Sequence, residues 1–204
     1  LFACLDSLLK QTYQSFEIII VDNDRCDIRT LAAYRLSYIR LDKNYGPSYA
    51  RNLGAEIAKG DILLFLDDDA LADPNWVASA RKALISDKSL SAIRGKVIPK
   101  RNNYRNKLAF HYDLGGTKHA AYLDLEGNCA IRATAFKKVG GFNADLFGGE
   151  GLDISYRLET ATQGSIAYIP DMVIYHSFVD SWKHFAKKFY RHGRNEARLD
   201  TADT

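Results

Sequence analysis

The sequence predicts a single α/β domain built on a doubly wound, mostly parallel sheet with helices on both faces. Three observations carry that expectation. Apolar extended runs alternate with helical periodicity through the first third of the chain in the order α-β-α-β-α-β, which calls for parallel strands joined by right-handed crossovers. The run Ile62-Leu63-Leu64-Phe65-Leu66 is apolar throughout between Gly60 and a string of acids, the mark of a strand buried on both faces. A chain of 204 residues with 47% hydrophobic side chains is also large enough to bury one sizeable core.

Each element has its own signal. Leu1, Phe2, Leu5, Leu8 and Leu9 recur at helical spacing, so the chain opens in an amphipathic helix. Phe16 to Asp22 reads as a buried strand ending in an acid, with Asn23-Asp24 turning away. Leu31 to Leu36 predicts a short helix and Ser37 to Leu41 a strand. Asn44-Tyr45-Gly46-Pro47 makes a turn that seats Pro47 at the first helical position, and the helix continues through Ala58 until Gly60. Past the acids, Trp76 to Leu84 predicts a helix and Leu90 to Ile98 a strand, while Pro99 to Thr117 has no clean period and reads as an irregular flap. Tyr122 to Leu125 and Cys129 to Arg132 are short strands joined by Gly127-Asn128. Thr134 to Val139 and Leu152 to Ala161 are helices, each ending near glycine, and Ile166 to Ile169 and Val173 to Tyr175 are strands separated by Pro170. Trp182, Phe185, Ala186 and Phe189 form a helical stripe flanked by Lys183, Lys187, Lys188, Arg191 and Arg194, so residues 181–198 predict a basic helix suited to donor phosphates or to peripheral contact with an anionic membrane. A solvated face is the alternative. No repeat, low-complexity tract or linker divides the chain.

Composition excludes several classes. Lys and Arg total 28 against 25 Asp and Glu, and a net charge of +3 argues against a nucleic-acid partner. Cys4, Cys26 and Cys129 lack zinc-ligand or Cys-x-x-Cys spacing and read as reduced thiols of a cytoplasmic protein. No apolar run approaches the roughly 18 residues of a membrane span. Neither the Gly-x-Gly-x-x-Gly of a nicotinamide-binding strand-turn-helix nor a P-loop is present.

The acids Asp67-Asp68-Asp69 close the buried strand at its carboxyl end, where open α/β sheets bind ligands. Alternation along an extended chain sends Asp67 and Asp69 to one side and Asp68 to the other. Adjacent carboxylates repel, and a divalent cation that takes oxygen ligands relieves that repulsion. The alternative is a solvated acidic turn preceding the helix that Asp73-Pro74 opens.

The order of motifs resembles the inverting glycosyltransferases of family 2, which have the nucleotide-diphospho-sugar transferase (GT-A) fold. The resemblance rests on Ser7-Leu8-Leu9-Lys10-Gln11-Thr12-Tyr13, Val21-Asp22-Asn23, Asn44-Tyr45-Gly46 with Ala50-Arg51-Asn52-Leu53-Gly54, Leu66-Asp67-Asp68-Asp69, Gly127-Asn128, Val139-Gly140-Gly141-Phe142 and Gly149-Glu150. It implies a nucleotide-sugar-binding half over 1–98, an acceptor-binding half over 99–180 and a basic helix over 181–204. Asp22, Asn44, Arg51, Asp67 and Asp68 would bind the donor, most simply a UDP-sugar. Asp69 and Asp67, with His176 completing the shell, would hold Mn2+ or Mg2+, and Gly127 and Asn128 would meet a saccharide or lipid-linked acceptor. Asp22 could instead cap its turn, and His176 could be a structural residue.

Two departures from the family pattern stand out. The family's usual opening strand, next to that of Asp22, is missing, as expected of a fragment. The usual Glu-Asp-x-Asp after the glycines reads Glu150-Gly151-Leu152-Asp153, which leaves Glu150 as the first choice for catalytic base and Asp153 as the second. The alternatives to a transferase are a nucleotidyltransferase or a catalytically silent glycan-binding or nucleotide-sugar-binding domain of the same fold.

Overall fold

The computed structural model describes residues 1–23, 31–32, 34–100, 112–146, 148–177, 181–183, 186 and 190. In chain order the elements are α1 (Phe2–Leu9), β1 (Ile19–Asp22), β2 (Ser37–Arg40), α2 (Pro47–Ile57), β3 (Ile62–Leu66), β4 (Leu71–Ala72), α3 (Trp76–Ser86), β5 (Leu90–Ile98), β6 (His119–Ala120), β7 (Asn128–Arg132), α4 (Ala133–Lys138), α5 (Glu150–Thr162) and β8 (Ser165–Tyr175). Residues 24–30, with Asp24 and Cys26, and most of the basic stretch 181–198 lie outside this description. Among the described residues no helix is long and apolar enough to cross a membrane.

The main sheet runs β3-β7-β5-β8-β4, with β6 pairing on β8. β3, β5 and β8 share one direction, because β5 pairs parallel with β8 while β7 is wedged antiparallel between β3 and β5. β1 and β2 pair parallel as a separate two-stranded ladder. Helices cover both faces, and β3 shows why its sequence is apolar without a break. Leu63 and Phe65 face a cluster with Ile131, Phe136, Phe142, Ile154 and Leu158 of the α4 and α5 side. Ile62, Leu64 and Leu66 face a second cluster with Trp76, Ala80, Leu84, Ile93 and Ile174 of the α3 side. Each large apolar side chain so enclosed contributes about 1.5–3 kcal/mol.

Several elements differ from expectation. Leu31 and Ala32 adopt a 3₁₀ turn, with Tyr34 N–H on Leu31 O (2.9 Å), and residues 34–36 are not helical, so the helix expected to Leu36 is cut short. Residues 122–125 are not a strand; the short pairing there is that of β6 with β8. The two strands expected around Pro170 are one, β8. Its partner register jumps from Gly95↔Ile169 to Lys96↔Val173, and that irregularity accommodates a residue with no N–H to donate. Leu71-Ala72, too short to read from sequence, pairs antiparallel with β8.

Candidate active site

The candidate donor and metal residues gather at the carboxyl ends of β1, β3 and β8, the edge at which open α/β sheets bind ligands. Asp22 ends β1 almost wholly buried, its carboxylate accepting from the Tyr38 hydroxyl and lying 3.7 Å from Arg40 Nε, both on β2. A lone buried carboxylate would be costly, and these two partners are what keep it in place. Asn23 staples the next loop to it: its amide donates to Gly46 O (2.8 Å) and accepts from Tyr45 N–H (3.0 Å). Asn44 accepts from Gly46 N–H (2.9 Å), so its carbonyl oxygen shapes the turn that starts α2. Its side chain remains exposed.

One turn into α2, Arg51 donates to Asp67 Oδ1 (2.9 Å) and lies over the Phe142 ring (5.8 Å), coupling the acidic strand end to the aromatic core. The neighbouring Asn52 holds the Gly-Gly-Phe turn at both backbone groups, donating to Phe142 O and accepting from Phe142 N–H (2.8 Å each).

The acids do not continue β3. Ala70 N–H bonds Asp67 O (3.0 Å), folding residues 67–70 into a turn; the strand ends at Leu66, so strand alternation does not set the directions of these acids. Asp67 therefore turns to Arg51, Asp68 is exposed, and Asp69 Oδ1 meets His176 Nε2 at 3.0 Å. The His176 imidazole holds the Asp69 carboxyl below the usual carboxylate range. His176 Nδ1 shares a hydrogen bond with the Tyr112 hydroxyl (3.2 Å). Tyr112 is buried, and burial together with Asp67 and Asp69 pushes its hydroxyl up, so it stays neutral and can either donate to or accept from the imidazole. Tyr112 fell inside the stretch read as an irregular flap and carried no sequence signal.

One carboxylate oxygen and one imidazole nitrogen brought together beyond the ends of β3 and β8 are donor types that suit a divalent first-row cation. Among the described residues no cluster of three or more His, Cys, Asp and Glu side chains is poised for a metal, so further coordination would come from ligand phosphate oxygens and water. Asp67, also expected in that shell, is paired through Oδ1 with Arg51.

Gly127 is pressed against Asp67: a Cβ there would lie 2.1 Å from Asp67 Oδ2. Asn128 does not line the cleft as expected. It is fully buried, accepting from Trp76 Nε1 (2.8 Å) and donating to Lys96 O (2.9 Å), so its amide joins β7 to α3 and β5. Asp153 is likewise engaged, by the Arg157 guanidinium, whose Nη1 also binds Val139 O (2.6 Å) and Gly141 O (2.8 Å). Glu150 opens α5 and is buried. Sequence reasoning missed Glu126. Its Oε1 accepts from Gly151 N–H (2.7 Å) at the α5 N-terminus, and burial raises its carboxyl above the ordinary value, with Arg51 opposing and Glu150 adding to the shift. Cys4 and Cys129 are buried thiols, pushed up by burial.

Residues 1–140 match the family model described as glycosyl transferase family 2. A glucosyl-dolichyl phosphate glucuronosyltransferase of Haloferax volcanii is 31% identical over 106 residues, covering 47% of this chain and 32% of that protein. A PGL/p-HBAD biosynthesis glycosyltransferase of Mycobacterium tuberculosis is 33% identical over 119 residues, covering 54% of this chain and 46% of the relative. The chain thus spans less than half the length of these curated relatives. Among solved structures, the mannosyltransferase PcManGT from Pyrobaculum calidifontis, in complex with GDP-Man and Mn2+, superposes with a TM-score of 0.68 at 21% identity, covering 89% of this chain and 54% of that one. S. aureus TarS 1–349 in complex with UDP-GlcNAc gives 0.65 at 18% identity, covering 88% and 55%. The fold is the GT-A fold of those enzymes, and the match over residues 1–140 decides the family: the chain belongs to glycosyl transferase family 2.

Proposed function

We propose that this chain transfers a sugar from a nucleoside diphosphate sugar to a hydroxyl acceptor with inversion, with Mn2+ or Mg2+ held by Asp69 and His176. The observation that carries the reading is the 3.0 Å approach of Asp69 Oδ1 and His176 Nε2 beside the Arg51–Asp67 pair, where β3 and β8 end. When bound, the cation supplies charge stabilisation to the departing diphosphate. Asp22, held by Tyr38 and Arg40, is the group for the nucleoside, and the Asn44 turn shapes the wall beside it. Arg51 fixes Asp67 and carries a guanidinium suited to phosphate oxygens. Asp68, exposed at the apex of the turn, is a further donor-side group. Gly127 lets the backbone come close to the donor acids, leaving the acceptor the face toward Glu126 and Glu150. Complexes of the structural neighbours with UDP-GlcNAc or GDP-Man and Mn2+ support a nucleotide-sugar donor.

A second reading, a silent nucleotide-sugar-binding domain, is favoured by one observation: Gly151 stands where the resembling family carries an acid. Calorimetric titration with UDP and GDP, with and without Mn2+, tests the shared premise. Metal-dependent binding of either nucleotide is expected, and its absence for both would overturn the proposal. Release of UDP from UDP-GlcNAc or GDP from GDP-mannose then separates transferase from binder.

A further inference from the structure

The segment 123–127 is bound to the start of α5 at several points. Leu123 N–H donates to Ser155 Oγ (2.8 Å), and Ser155 Oγ donates to Gly151 O (2.6 Å). Gly151 N–H in turn donates to Glu126 Oε1 (2.7 Å). The contact is so close that position 151 has no room for a side chain. A Cβ there would fall 1.5 Å from Leu123 O and 2.7 Å from Glu126 Oε1. A backbone carbonyl at such a distance cannot yield without moving the segment. The volume that a carboxylate at position 151 would enter is therefore filled from outside the helix, in part by another carboxylate.

From this geometry we infer that Glu126 is the general base of this enzyme, delivered by the 123–127 segment to the place where Gly151 leaves the helix without an acid. The inference rests on the transferase reading above. Each competing acid is worse placed. Asp153 is bound by Arg157, and Glu150 lies buried at the first position of α5. Glu126 is also the residue immediately before Gly127, whose backbone touches the Asp67 carboxylate, so it adjoins the donor side of the cleft. Its Oε1 is occupied by Gly151 N–H; Oε2 takes no part in that bond. Burial raises its basicity, which suits a group that must accept a proton near neutral pH.

The step balances. The acceptor O–H gives its proton to Glu126 Oε2, the acceptor oxygen bonds to the anomeric carbon, and the bond from that carbon to the diphosphate oxygen breaks, its electron pair leaving with the nucleoside diphosphate. In hydrolysis water takes the acceptor's part.

Glu126→Gln is the informative variant, because the amide oxygen can still accept from Gly151 N–H while the base is lost. Wild type, Glu126→Gln and Glu150→Gln are compared for release of UDP from UDP-GlcNAc and GDP from GDP-mannose with Mn2+, for nucleotide binding by calorimetry, and across pH. The expected result is a fall in kcat of about 10²-fold or more for Glu126→Gln, with unchanged nucleotide affinity and loss of the acid limb of the kcat/KM profile. Glu126→Asp should recover part of the rate. Retention of kcat within threefold in Glu126→Gln, or an acid limb that disappears only in Glu150→Gln, overturns the assignment and leaves the transferase reading standing. A wild type that neither binds nucleotide with Mn2+ nor releases it overturns both.

Discussion

His176 Nε2 lies 3.0 Å from Asp69 Oδ1, joining the residue that follows β8 to the turn that follows β3. Tyr112 fixes the ring from its other nitrogen. If this pair holds the cation, His176→Ala should weaken Mn2+-dependent UDP or GDP binding by about tenfold or more. Asp68→Asn, altering an exposed carboxylate on the same turn, should change it far less. Equal effects of the two variants in calorimetry would exclude His176 as a ligand.

Asn128→Ala should act on stability rather than on acceptor affinity. It would strand the buried Trp76 N–H and the Lys96 carbonyl, each lost partner costing about 1–3 kcal/mol. Denaturant unfolding should register that loss, while the acceptor KM of the folded fraction stays unchanged.

Gly127→Ala should break the Arg51–Asp67 pair, since its Cβ would meet Asp67 Oδ2 at 2.1 Å. Nucleotide affinity should fall at least about tenfold, as for other disturbed supports of a metal-phosphate site. Arg51→Lys should reproduce part of the loss, because an ammonium cannot span two acceptors as a guanidinium does. A Gly127→Ala protein with wild-type nucleotide affinity would show that the close approach is immaterial.

Glu126 also sets a pH dependence of stability. Its folded carboxyl is raised above its ordinary 4.5, so the stability it contributes is complete below that value and is lost as pH rises through the folded value. Glu126→Gln keeps the acceptor for Gly151 N–H without the buried charge. It should match wild type in acid and melt higher at neutral pH, as thermal unfolding across pH would report. A lower melting point at neutral pH would contradict the assigned burial cost.

How much of this was legible in the sequence depends on whether the determinant was local. The apolar run Ile62 to Leu66 and Pro47 at a helix start announced β3 and α2, because burial on two faces and a fixed φ act within a few residues. Arg51, Asp69 and His176 were named, and the fold brings Arg51 to Asp67 and His176 to Asp69. The family resemblance puts Asn128 beside the acceptor, but no local signal shows that α3 supplies Trp76 to satisfy its amide inside the core. Asp67 parted from Asp69 because a turn replaced the expected extension. Glu126 was invisible because its meaning depends on the space at Gly151, a contact across 25 positions. The glycine in place of an acid was the one available signal.

Metal-dependent transfer through Asp69 is tested most directly by release of UDP from UDP-GlcNAc and of GDP from GDP-mannose by wild type and Asp69→Asn, each with Mn2+ and with chelator. Mn2+-dependent release from at least one donor is expected of wild type and its loss of Asp69→Asn, with the fold intact by circular dichroism. Release that persists in chelator, or that survives undiminished in Asp69→Asn, would contradict it.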